Sequence, residues 1–145
     1  MSYKQINRLA FAGQIGLVGE SLSRATGEQN VGATAVKAGY FVATASPHGI
    51  KAIASATDPI AGIVIKSQLQ DSYAQDEYLS VGHVGHGDSV WAVASSAGLV
   101  RGGDVFIVAT GANAGSVTDD DTDNIATNLV VRNVADGLAE VTRKE

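Results

Sequence analysis

The chain has 145 residues, a formal net charge of −5 and a pI near 5.0; 45% of its residues are hydrophobic, only 17% are charged, and cysteine is absent. That length implies one domain with one core, and the absence of cysteine excludes disulfides, cysteine zinc sites, iron–sulfur clusters and thiol nucleophiles. The acidic balance argues against a surface that coats nucleic acid. No apolar run approaches the roughly 18–20 residues of a membrane-spanning helix, so no membrane partner is expected. Residues 1–13 carry no continuous apolar stretch of the signal-peptide kind, which predicts synthesis in the cytoplasm.

The first 35 residues differ from the rest. Gly13, Gly16 and Gly19 recur every three positions, and the polar stretch 20–32 is almost free of β-branched residues. Such a segment buries itself poorly. It is read as an extended N-terminal arm over residues 1–35, either loosely ordered or ordering against a partner. A β-domain is expected over 36–145.

From there the apolar residues come in short runs: 39–45, 60–66, 78–84, 89–94, 104–110, 128–134 and 138–142. Each is about five to seven residues long and rich in Val, Ile, Tyr, Phe or Trp, the length and chemistry of strands. Turn residues separate them, including Pro47-His48-Gly49, Asp58-Pro59, Gly102-Gly103-Asp104 and Asp136-Gly137. Short strands at this spacing predict an all-β fold, a sandwich or barrel, rather than βαβ units.

Two runs say more. Val90-Trp91-Ala92-Val93-Ala94 is apolar on both faces, which suits a strand inside a sandwich or under an oligomer contact. In 128–134, Arg132 and Asn133 fall on opposite faces under strict alternation, which predicts an edge or interface strand. Asp136-Gly137 between two apolar runs is the best hairpin signal in the chain. Segments 6–12 and 67–76 could each hold a short helical turn, but neither carries a helical stripe.

Candidate chemistry is sparse. His83 and His86 are three apart, but the flanking glycines favour a turn, and only Asp88 stands near as a third ligand. Asp119, Asp121 and Asp123 have the spacing that opens a calcium loop, yet Asn124 stands where the turn glycine is needed and Val130 where the bidentate glutamate belongs. An exposed run of carboxylates is the simpler reading. The glycines at 82, 85 and 87 lack the dinucleotide order. Ser21 lacks the second glycine of a nucleophile elbow. Asp76 and Glu77 are adjacent and would point apart in a strand, a poor acid–base pair. No catalytic, cofactor or metal site is expected, and no enzyme activity.

The order of small-residue steps and strand starts is nonetheless distinctive. Ala12-Gly13 leads through the polar arm to Gly39-Tyr40-Phe41-Val42. Ala61-Gly62-Ile63-Val64, the run from Gly87 to Val93, and the run from Gly102 to Ile107 follow. Over nearly its whole length the chain resembles the structural cement, or capsid decoration, proteins of tailed bacteriophages. The resemblance implies a small β-sandwich of jelly-roll type. It implies a protein of the virion that sits on the outer surface of the icosahedral head, bridges major capsid protein subunits and associates with itself, as a homodimer or homotrimer.

On that reading Tyr3, Ile6, Leu9 and Phe11 are apolar anchors that dock on the capsid or on a neighbouring subunit. The competing reading is a carbohydrate- or receptor-binding β-sandwich module on the virion. It would present exposed aromatic residues beside carboxylates, whereas Trp91 lies among apolar neighbours. A cupin-like enzyme would need His83 and His86 to converge with a carboxylate.

Overall fold

In the computed structural model, which describes residues 11–17, 24–67, 69–85 and 87–144, each of the seven apolar runs overlaps a strand. They are β4 (Phe41–Thr44), β6 (Ile60–Val64), β8 (Tyr78–His83), β9 (Ser89–Val93), β10 (Asp104–Ile107), β12 (Ile125–Ala135) and β13 (Leu138–Arg143). Six shorter strands join them: β1 (Ile15–Leu17), β2 (Arg24–Gln29), β3 (Val36–Lys37), β5 (Ile50–Ala52), β7 (Ser72–Tyr73) and β11 (Val117–Thr118). No helix occurs among the described residues. The helical turn considered for 67–76 is instead a bend leading into β7, and most of 6–12 lies outside the described residues.

The strands form a six-stranded sheet in the order β1-β9-β13-β12-β10-β11, a five-stranded sheet in the order β2-β8-β6-β4-β5, and a two-stranded sheet of β3 and β7. The all-β sandwich read from the sequence is therefore present. Side-chain alternation explains its layers. Phe41, Ala43 and Ile63 of the five-stranded sheet meet Val90, Ala92, Val105, Ile107, Val131 and Val141 of the six-stranded sheet in one buried cluster. Their neighbours Val42 and Val64 point the other way, into a second cluster with Val36, Tyr73, Leu79 and Val81 under β3 and β7. β4 and β6, inside the five-stranded sheet, are thus buried on both faces, which is why their runs read as continuously apolar. A bridge between Asn30 and Ile50 brings the ends of its two outer strands together.

Two local expectations meet different fates. Asp136 and Gly137 both take positive φ, 49° and 76°, between the paired residues Ala135 and Leu138. This is the two-residue turn with a primed twist that the dipeptide favours. The edge position expected for 128–134 is corrected: β12 lies inside the six-stranded sheet, between β10 and β13. The reason is a register shift between Val131 and Asn133. The extra residue breaks strict alternation, so Arg132 and Asn133 both reach Glu140 on β13.

The stretch read as an arm also carries sheet structure. Residues 24–29 form β2, paired throughout its length with β8. Asn30 follows it fully buried, donating from its side-chain amide to the carbonyls of Thr34 and Tyr73 at 3.1 and 3.0 Å and accepting from the Gly32 amide at 3.1 Å. That one polar side chain fixes the chain's path from β2 toward β3 and β7.

Candidate functional site

The N-terminal segment joins the sandwich at Gly13. Its N–H donates to the Trp91 carbonyl of the six-stranded sheet at 2.7 Å, and its carbonyl accepts from Lys66, two residues beyond β6 of the five-stranded sheet, at 3.1 Å. A single residue therefore ties both sheets together. Its φ is +76°, and an added Cβ would stand 2.7 Å from the Val64 carbonyl oxygen and 2.8 Å from the Lys66 nitrogen. Only glycine meets both demands without displacement.

Phe11 stands two residues before this junction and is 40% exposed. A turn holds it there: the Phe11 N–H donates to Gln14 Oε1 at 2.9 Å, and the Gln14 N–H donates back to the Phe11 carbonyl at 3.0 Å. The Lys66 ammonium lies 5.8 Å from the centre of its ring, within cation–π range. Beside it opens a groove of about 400 Å³ with Tyr40, Val93, Lys37 and Asp71 in its lining. The other three anchors, Tyr3, Ile6 and Leu9, lie outside the described residues.

The polar candidates serve local structure, and the turn expected around His83 is corrected: it is the last residue of β8, paired with Arg24 of β2. His83 is exposed, with Nε2 3.1 Å from Thr26 Oγ1; His86 lies outside the described residues. Asp119 accepts from the Ser96 hydroxyl at 2.6 Å, tying the loop between β11 and β12 to the one after β9, and Asp120 accepts from the Thr122 amide at 2.9 Å within the former. Among the described residues no three His, Cys, Asp or Glu side chains converge as a metal-ligand set. Trp91 is only 8% exposed and presents no stacking face for a sugar.

Sequence reasoning missed two features. Glu140 is 4% exposed and accepts from the Ser89 hydroxyl at 2.5 Å and the Asn133 amide at 2.8 Å, with the Arg132 guanidinium at 3.5 Å. Its alternation with Ala139 and Val141 marked it as outward-facing, but nothing in the sequence marked it as buried. The other feature is a set of exposed large apolar residues, Leu69 at 96%, Tyr78 and Val100, which stand singly in loops or at a strand start and so escape pattern reading.

Two carboxylates carry shifted pKa values. Asp58 is lowered from its ordinary 3.8, first by the Ala54 N–H it accepts, which outweighs the opposing effect of burial, and then by the Ser55 N–H and the Lys51 ammonium. Glu77 is lowered from 4.5 by the Gln70 side-chain amide and then the Ala74 N–H. A folded pKa below the unfolded one gives stability that is present above the unfolded value and lost as pH falls through the folded one. The thermal midpoint is therefore expected to hold from pH 7 to about 5 and decline below that, with a shallower acid decline in the Asp58→Asn, Glu77→Gln double variant. An equal acid slope in both proteins would show that these turns contribute nothing to the acid decline.

This double-layered sandwich, with no assembled catalytic site among the described residues, has a counterpart among solved structures. A chain of "The capsid of Myoviridae Phage XM1" superposes on it with a TM-score of 0.76 at 19% sequence identity, covering 99% of this chain and 95% of that one. The two share a fold. The family model of the XM1 gp53 minor capsid protein matches residues 1–143, and the chain belongs to that family. It is a capsid-associated structural protein of the tailed-phage virion. No curated protein matches the chain.

Proposed function

We propose that the protein is a capsid cement, or decoration, protein. It binds the outer surface of the icosahedral head, bridges neighbouring major capsid protein subunits and stabilises the shell against the pressure of packaged DNA. It acts as a homo-oligomer, with a homodimer favoured. The observation that carries the reading is the junction at Gly13, where a segment with exposed Phe11 at its described end is hydrogen-bonded to both sheets of the sandwich. Load applied to that segment passes directly into the core. Family membership supports the capsid partner, and the low charge and the exposed apolar side chains suit many small contacts on a protein surface.

Tyr3, Ile6, Leu9 and Phe11 are the anchors of this contact. An oligomer that engages several sites at once gains avidity without stronger individual contacts. Deleting residues 1–11, which leaves Gly13 and its bonds in place, is expected to lower retention on purified heads at least roughly tenfold, the equivalent of about 1.4 kcal/mol. Phe11→Ala alone is expected to weaken retention less. Undiminished retention of the deletion variant, with its fold intact by circular dichroism, would move the contact elsewhere.

A further inference from the structure

The five-stranded sheet ends in β2, and its outer edge has a self-complementary sequence. The Asn30 N–H donates to the Glu77 carbonyl at 2.9 Å, continuing the register that pairs Gln29 with Tyr78 and Arg24 with His83. Alternation then turns the backbone groups of Thr26 and Glu28 toward β8, and those of Ala25 and Gly27 away from it. Beyond Gln29 the outer side is occupied, because the Val31 N–H donates to the Ile50 carbonyl at 2.9 Å. Among the described residues nothing pairs with the outer side of the stretch Arg24-Ala25-Thr26-Gly27-Glu28.

We propose that this edge pairs with the same edge of a second copy of the chain, antiparallel and centred on Thr26. Folding the five residues about Thr26 places Arg24 opposite Glu28 of the second copy, twice over, and Ala25 opposite Gly27. Ala25 and Gly27 become a hydrogen-bonded pair, so four backbone hydrogen bonds cross the two-fold axis. Shifting the register by one residue forfeits both charge pairings, so one register is preferred. Among the described residues the edge also lacks the usual protection. Ala25, Thr26 and Gly27 are small and exposed, the stretch holds no proline, and its pairing with β8 runs without a bulge. Pairing joins the two five-stranded sheets into one continuous sheet across an isologous contact.

The inference deepens the homodimer part of the proposed function and is independent of the capsid contact. The absence of cysteine makes it simple to test. Thr26 faces its own copy as a non-hydrogen-bonded pair with Cα atoms about 4.5 Å apart, within disulfide reach. The Thr26→Cys variant is purified beside Thr122→Cys, an exposed control in the acidic loop, and both are oxidised while light scattering reports the oligomeric state. Thr26→Cys is expected to form a disulfide-linked dimer at least roughly tenfold faster than the control, because pairing raises the local thiol concentration.

Arg24→Glu is expected to weaken the dimer of the otherwise unaltered protein, and Arg24→Glu with Glu28→Arg to restore it. A dimer in which Thr26→Cys cross-links no faster than the control overturns the inference while leaving the homodimer reading intact. A monomer at all concentrations overturns both. Exchange protection of the Ala25 and Gly27 amides that appears only on heads assigns the edge to another protein and also overturns it.

Discussion

Gly13→Ala is expected to destabilise the protein by about 3 kcal/mol and to lower its melting temperature by about 10 °C. The left-handed φ of +76° alone costs a non-glycine residue roughly 1–2 kcal/mol. The added Cβ then presses on two backbone atoms, the Val64 oxygen and the Lys66 nitrogen, which cannot rotate away as a side chain would. Relief requires moving Gly13 off the Trp91 carbonyl or off Lys66, and either movement breaks a bond to one of the two sheets. Retention on heads should fall with stability, because the segment bearing Phe11 loses its fixed base. Thermal unfolding of the variant measures the first effect, and an unchanged melting temperature would show that the junction is pliable.

Asn30→Ala is expected to cost about 2–4 kcal/mol, more than most single substitutions. The residue is fully buried, and its removal strands the carbonyls of Thr34 and Tyr73 and the Gly32 amide. The Tyr73 carbonyl is buried at this contact, and a buried polar group left without a partner costs about 1–3 kcal/mol; the space left by the amide adds to that, while water can reach the exposed Thr34 and half-buried Gly32 groups. Asn30→Asp discriminates the mechanism. It keeps the acceptor for Gly32 but loses both donors and sets a carboxylate against two carbonyl oxygens, so it should be no more stable than the alanine variant at neutral pH. Denaturant unfolding of the two variants checks this, and wild-type stability in the Asn30→Asp variant would mean that the Gly32 bond alone fixes the loop.

The parts of the fold legible in the sequence are those whose strands bury side chains. Phe41-Val42-Ala43 and Ile63-Val64 feed two clusters from opposite faces, and that double burial produces the unbroken apolar runs. β2 was illegible for the opposite reason. Its backbone is held by one neighbouring strand, and the side chains from Ala25 to Gln29 join neither core, so composition shows only a polar stretch. The two-residue strands β3 and β7 are too short for any periodicity.

The interior position of β12 was hidden by its bulge, because alternation counted across Arg132 and Asn133 is off by one residue. At the candidate site, Phe11 was legible as an apolar residue ahead of a polar arm. The role of Gly13 was not, since it depends on Trp91 and Lys66, residues far away in the chain.

The central claim is that this chain strengthens a shell. Heads assembled from the major capsid protein of the same phage, with and without saturating amounts of the protein, can be heated while release of packaged DNA is followed by dye fluorescence. Stoichiometric binding to the outer surface is expected, with release at a clearly higher temperature when the protein is bound. Binding with an unchanged release temperature, or no binding at all, would contradict the claim.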